Sequence, residues 1–248
     1  MNGQEQQLTK QEKRELKRQE KDARRTNQER KRKTRKFLSW SAGIAMAFLI
    51  IGGIVYLIQN STPTNPEQAA SLLEVKDNDW TTGSPGAPIT LIEYSDLQCP
   101  ACGAYHPILK QLIEEFGSDI TFVYRHFPLR QIHPNADLAA RATEAAGAQG
   151  KFWEMHDMLF ENQRSWSNDR DTKELFVSYA ESLGLGVDQF KSDLASKGVK
   201  AKVDANYKSG LGLGVNATPT FFLNGQKLQN PRSHEEFKTI IQNAISQP

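Results

Sequence analysis

Two thiols spaced as Cys99-Pro100-Ala101-Cys102 are the only cysteines in a chain of 248 residues. A cross-link between them closes a loop too short to remove much chain entropy, so as a structural staple it would contribute little. A structural zinc site draws four ligands from paired Cys and His, and no second pair follows. His106, one helical turn beyond Cys102, is a single further ligand, so no metal is expected. The chemistry left to the pair is a dithiol that cycles to a disulfide, and it requires no cofactor.

The neighbouring residues predict how the pair is positioned. Ile89-Thr90-Leu91-Ile92-Glu93-Tyr94-Ser95 is a β-branched, aromatic run of strand length, and Ala104, Tyr105, Ile108, Leu109, Leu112, Ile113 and Phe116 recur at helical spacing. Cys99 therefore falls at the N-terminus of a helix, where unpaired N–H groups and the helix dipole lower a thiol pKa. Pro100 suits the first turn because its missing N–H costs nothing there. Cys102, a turn deeper, is expected to be the buried, less acidic sulfur, so that Cys99 attacks and Cys102 resolves. Glu93 sits inside the apolar strand, where two accounts remain open. It is either a strand-end carboxylate in solvent or paired with Lys, or a buried acid with a raised pKa that exchanges a proton with Cys102. Asp96 reads as a turn or cap residue.

A second segment, Gly214-Val215-Asn216-Ala217-Thr218-Pro219-Thr220-Phe221-Phe222-Leu223-Asn224-Gly225, sets a proline at the start of an apolar strand and ends on a hairpin signal. Together with Asp96-Leu97-Gln98-Cys99-Pro100-Ala101-Cys102, Gly83-Ser84-Pro85-Gly86-Ala87-Pro88 and Lys151-Phe152-Trp153-Glu154-Met155-His156-Asp157, it resembles the DsbA-like branch of the thioredoxin-fold superfamily, of the membrane-anchored bacterial type. The resemblance covers about residues 78 to 247. It implies an α/β thioredoxin fold with an inserted helical domain, with Cys99 as nucleophile, Cys102 as resolving thiol and Glu93 as the buried acid. It further implies that Thr218 and a cis-Pro219 bind the substrate backbone beside the sulfurs, which Pro100 and Ala101 support. Ala101 stands where the best known oxidases of the family carry His, so no imidazolium adds to the depression of the Cys99 pKa.

The elements around these motifs follow from periodicity. Ile120 to Phe127 alternates as a strand. Helices are predicted over 137–147, 151–162, 171–183, 188–196 and 199–209, with Asp171 and Glu174 as a capping box, and a last helix begins at Ser233 with Glu236 three residues on. The helical text between the second strand and Pro219, about 134–212, has no counterpart in plain thioredoxins. Phe152, Trp153, Met155, Met158 and Phe160 read as helix core, and His126, His133, His156 and His234 as scattered without ligand spacing. Asn168 to Asp171 reads as a helix cap rather than a calcium loop.

The N-terminal region sets the expected location. Residues 1–36 carry 14 Lys and Arg against 6 Asp and Glu, a net of +8 in a chain of net +2. Residues 37–58 lack any charge and, at ~1.5 Å per residue, reach roughly 33 Å, enough to cross a bilayer. The expected order is a basic cytoplasmic arm (1–36), an uncleaved transmembrane signal anchor (37–58), a flexible linker (59–77) and an extracytoplasmic domain (78–247). The arm lacks the interleaved aromatics of nucleic-acid binders, so no nucleic-acid partner is expected.

These features together lead us to expect a single-pass, membrane-tethered oxidoreductase that introduces disulfides into extracytoplasmic proteins with free thiols. The resemblance implies a DsbB-like or VKOR-like membrane quinone reductase as the recharging partner. The alternatives are a reductase or isomerase of extracytoplasmic thiols, and a chaperone-like module that binds peptides without turnover.

Overall fold

The computed structural model describes residues 65–169 and 171–246, with Met46, Ile50 and Gly52 from the region before them. The basic arm and almost all of the expected span lie outside the described residues. Met46 and Ile50 are helical and exposed. Among the described residues, no helix is long and apolar enough to cross a membrane. The chain divides into two compact units, 1–60 and 61–248; the second holds every element below.

Inside the stretch expected to be a flexible tether, Pro66–Leu73 is a helix, α1. Asn65 caps it by accepting the Glu67 N–H at 3.0 Å, and Pro66 occupies the first turn, where it needs no donor. A buried arginine holds its far end. Arg125 donates to the carbonyls of Leu72 and Glu74 at 2.6 and 2.7 Å and to both oxygens of Asp79 at 3.1 and 2.6 Å, so its charge is paired and its donors are satisfied. Strand β1 (Trp80–Gly83) follows. It is too short and too polar in alternate positions to stand out in the sequence.

Strand β2 (Ile89–Ser95), helix α2 (Pro100–Phe116) and strand β3 (Ile120–His126) form a parallel crossover unit, in which Glu93 pairs with Tyr124. Six helices follow: α3 (Ala136–Gly147), α4 (Phe152–Glu161), α5 (Gln163–Trp166), α6 (Thr172–Ser182), α7 (Val187–Leu194) and α8 (Lys197–Gly212). The chain returns through β4 (Thr220–Leu223) and β5 (Gln226–Lys227) to α9 (His234–Ser246). The sheet order is β1-β3-β2-β4-β5, with only the β2–β3 pair parallel. The β4–β5 turn is tight: Asn224 and Gly225 take φ of 46° and 82°, the mirror-image turn that matches strand twist.

Alternation along β2 divides the core into two layers. Ile89 and Leu91 point into the larger layer with α2, α9 and the inserted helices, and Ile92 and Tyr94 into the smaller one with Val123, Phe127 and Phe222. Period two therefore sends Glu93 to the side of α2. The insertion is fastened to the core through Glu144 on α3, which takes Trp80 Nε1 at 2.9 Å, His126 Nε2 at 3.2 Å and Lys202 Nζ at 2.9 Å. Two expectations about caps differ in outcome. Ser233 Oγ accepts from Glu236 N at 3.2 Å as a cap should. The Asp171–Glu174 box is not formed, because Asp171 has ψ of 29° instead of the extended value that would aim its carboxylate at the helix N–H groups, and Asp169 Oδ1 takes the Asp171 N–H instead.

Candidate active site

Cys99 is the N-cap of α2, in extended backbone, with Pro100 at the first helical position. Both thiols are free and buried, Cys99 at 7% exposure and Cys102 at 1%. Proximity splits their acidities. The Cys102 thiol beside it is the largest influence on Cys99; with Thr218 and the N–H groups of Ala101 and Cys102 it outweighs burial and brings Cys99 down to about 5. Cys102 is pushed up, first by burial, then by its hydrogen bond to the Cys99 sulfur, whose negative charge adds to the effect. One sulfur is thus an exposable thiolate at neutral pH and the other a protonated thiol. The depression needs no histidine at Ala101, which lies exposed beside Pro100.

Across from the pair, the Thr218–Pro219 bond is cis. Cys99 Sγ lies 3.5 Å from the Thr218 carbonyl oxygen, so the structure brings together the two motifs that stand more than a hundred residues apart. Asn230 holds this loop by donating to the Pro219 carbonyl at 2.7 Å; sequence reading did not single it out.

Glu93 is 2% exposed, flanked across the sheet by Tyr124 and Phe221, so the account of a solvent-facing or Lys-paired carboxylate does not hold. Burial, with the Cys99 charge adding to it, raises its pKa to about 8. The unfolded carboxyl ionises near 4.5 and the folded one near 8, so between these values the unfolded state binds fewer protons and stability falls as pH rises. A Glu93→Gln variant is expected to lack this fall and to be more stable than the parent at pH 7 by about 2–3 kcal/mol. Urea unfolding of both proteins from pH 4.5 to 8 measures it, and parallel curves would mean that Glu93 is not held neutral.

The family model described as thioredoxin matches residues 75–243. The chain belongs to the thioredoxin family. Its helical insertion and its solved neighbours make it a DsbA-like thiol-disulfide oxidoreductase. It is similar to alpha-DsbA1 of Wolbachia pipientis at 25% identity and a TM-score of 0.64, over 72% of this chain and 98% of that one. It is also similar in fold to oxidised BdbD from Bacillus subtilis, at 24% identity and a TM-score of 0.60, over 67% and 92%. Among curated proteins, it is 36% identical over 170 residues to Na(+)/H(+) antiporter NhaA 3 of Salinispora tropica, which covers 68% of this chain and 25% of that protein. The chain spans about a quarter of the length of the curated relatives it matches.

Around this DsbA-like centre lie supporting residues. Asp96 is a turn residue, as expected: Oδ1 accepts from Gln98 N at 2.8 Å. In addition, Oδ2 accepts from Leu129 N at 2.9 Å and lies 2.7 Å from His133 Nδ1, tying the loop after β3 to the start of α2. From the insertion, Gln163 donates to the carbonyls of Leu97 and Cys99 at 2.8 and 2.9 Å. A Cβ at Gly103 would lie 2.6 Å from Gln163 Oε1, so a larger residue there would displace that amide from its two carbonyls. Short α5, absent from the predicted helices, carries Gln163 to this place.

The histidines are not scattered in space. His126 meets Glu144, His133 meets Asp96, His234 meets Glu115, and His106 and His156 share Asp157. The last trio, from α2 and α4, holds its potential ligand atoms within 4.8 Å of one another, a grouping invisible along the chain. It is tied together by hydrogen bonds: both rings lie 3.0 Å from Asp157 Oδ1, and the Lys110 ammonium lies 3.4 Å from Oδ2, so the carboxylate already has its partners.

Proposed function

We propose that this chain is a membrane-tethered thiol oxidase that works outside the cytoplasm. A substrate thiolate attacks Cys99 of the Cys99–Cys102 disulfide, and Cys102 leaves with the electron pair and takes up a proton. A second substrate thiolate then attacks the substrate sulfur of the mixed disulfide, releasing the oxidised substrate and the Cys99 thiolate. Two electrons have moved to the dithiol, and a DsbB-like or VKOR-like quinone reductase in the same membrane takes them away. Thr218 and Pro219 offer the adjacent backbone to an extended substrate, and Glu93 supplies the proton to Cys102.

What supports the direction is the setting of Cys99, the N-cap of α2 beside the Cys102 thiol and Thr218, which holds its pKa down at about 5. A stabilised thiolate favours the reduced enzyme, which makes its disulfide the stronger oxidant. The reduction potential of the full chain, equilibrated with glutathione, is expected near the roughly −120 mV of DsbA; a value close to the roughly −270 mV of thioredoxin would turn the reading to a reductase.

Location rests on the +8 arm before an uncharged stretch of bilayer length. With Cys102→Ser in place, a membrane-impermeant thiol reagent is expected to label Cys99 on intact cells. Protection until lysis would place the dithiol in a reducing compartment and end the oxidase proposal.

A further inference from the structure

We propose that His106, His156 and Asp157 bind one divalent transition-metal cation of the zinc class, and that this cation fastens the helical insertion to the helix that carries the dithiol. His106 stands on α2 and the other two on α4, so the site spans both elements. The inference stands apart from the direction in which the dithiol runs and from the side of the membrane on which it works.

Donor types and spacing fit such an ion. One ligand atom from each residue lies within 4.8 Å of the other two. Zinc holds nitrogen and oxygen ligands at ~2.0–2.1 Å, which sets the corners of a tetrahedron roughly 3.3 Å apart. His106 Nε2 and His156 Nδ1 are each 3.0 Å from Asp157 Oδ1, so small side-chain shifts admit a cation between them in place of the two hydrogen bonds. Two imidazoles and one carboxylate select a borderline cation over calcium and magnesium, which take oxygen ligands. Three protein ligands also leave the fourth position of the ion to water.

An ionised carboxylate only accepts, so without metal His106 Nε2 and His156 Nδ1 both carry hydrogen. To ligate, each ring moves its hydrogen to its other nitrogen. In His156 that atom is Nε2, which is buried in a side chain of 7% exposure and has no hydrogen-bond partner among the described residues. A trio built for packing alone would leave no such atom open. His106, His156 and Asp157 all line a cavity of about 170 Å³. At roughly 30 Å³ per molecule, water in that space can accept from Nε2, as the second nitrogen of a ligating histidine requires, and can fill the fourth position.

Entry is from the side of Asp157, which is 35% exposed, and the exposed carboxylate of Glu114 lines the same opening. Lys110, 3.4 Å from Asp157 Oδ2, is the ammonium that must yield. Its side chain is 48% exposed and already lies 3.3 Å from Glu161 Oε1, so it keeps a partner when it swings aside. The chain leaving α4 enters α5, whose Gln163 holds the carbonyls of Leu97 and Cys99. A cation joining α2 to α4 therefore fixes the two elements that position Cys99.

Zinc alone, titrated against a chromophoric chelator into the full chain in detergent, tests the site; Cys99→Ser and Cys102→Ser are both in place so that neither thiol can bind it. One equivalent is expected to bind, and calcium is expected not to displace it. Loss of a residue that only supports a metal site weakens binding roughly 10–100-fold, so His106→Ala and His156→Ala, which each remove a ligand, are expected to weaken it by at least the upper figure. Asp157→Asn keeps the size of the side chain and removes its charge; it is expected to weaken binding likewise without the packing defect of the alanine variants. His234→Ala, at a separate histidine–carboxylate pair, is expected to leave binding unchanged. Zinc is further expected to raise the unfolding temperature of the double-serine protein and not that of the three ligand variants. A double-serine protein that binds no zinc, binding that survives in all three ligand variants, or binding that is lost in His234→Ala would overturn the site.

Discussion

A Cys99→Ala variant of the full chain is expected to lose thiol exchange by roughly 10³-fold or more, because no other thiol in the protein can attack at neutral pH. Cys102→Ser is expected to fail differently. Cys99 still attacks, nothing expels the partner, and mixed disulfides accumulate, visible as adducts on non-reducing gels. The pair also predicts an asymmetry between serine and alanine at position 102. Since the Cys102 thiol is the largest influence lowering Cys99, Cys102→Ala should return the Cys99 titration toward its ordinary value near 9, whereas the hydroxyl of Cys102→Ser preserves part of the depression. Ultraviolet titration of the thiolate in the two variants measures it. A Cys99→Ala protein with full activity toward unfolded clients would instead leave the reading of a peptide-binding module.

The reduced protein is expected to be more stable than the oxidised one, the reverse of the order that a structural disulfide produces. Cys99 titrates near 5 when folded and near 9 when unfolded, so between these values the unfolded state binds the extra proton and the stability of the reduced form rises with pH. The gain is complete above pH 9 and is lost as pH falls through 5. Its slope is at most about 1.36 kcal/mol per pH unit, and solvent at the open side of the sulfur screens it, which leaves about 1–2 kcal/mol at pH 7. Glu93 opposes this slope in both redox forms and largely cancels in their difference. Paired urea melts of the reduced and oxidised full chain, repeated from pH 5 to 9, provide the test. An oxidised form that is the more stable at every pH would defeat the thiolate mechanism.

What could be read along the chain is what depends on neighbours in sequence. The strand 89–95, the helix opening at Cys99 and the hairpin at Asn224-Gly225 follow from local periodicity and turn chemistry. The order of the two cysteines' acidities followed from their places in one helical turn. Elements with weak local signals escaped. Strand β1 exists because its four residues pair with β3, and α1 within the expected tether because Arg125, fifty residues on, grips its end.

Glu93 marks the boundary between the two kinds of information. Its position in a strand admitted two accounts, and only the covering of both sheet faces, with Tyr124 and Phe221 alongside, decided that it is buried and neutral. The same holds for Thr218 and Pro219, which join Cys99 because β4 pairs with β2, and for His106, His156 and Asp157, which meet because α4 packs on α2. Which groups are reactive follows from the chain alone, since a side chain's chemistry and its place in a helix turn are local properties. Which of them share a site, and with what pKa, was decided by the tertiary structure, because desolvation and charge act through a few ångströms of space regardless of how much chain lies between.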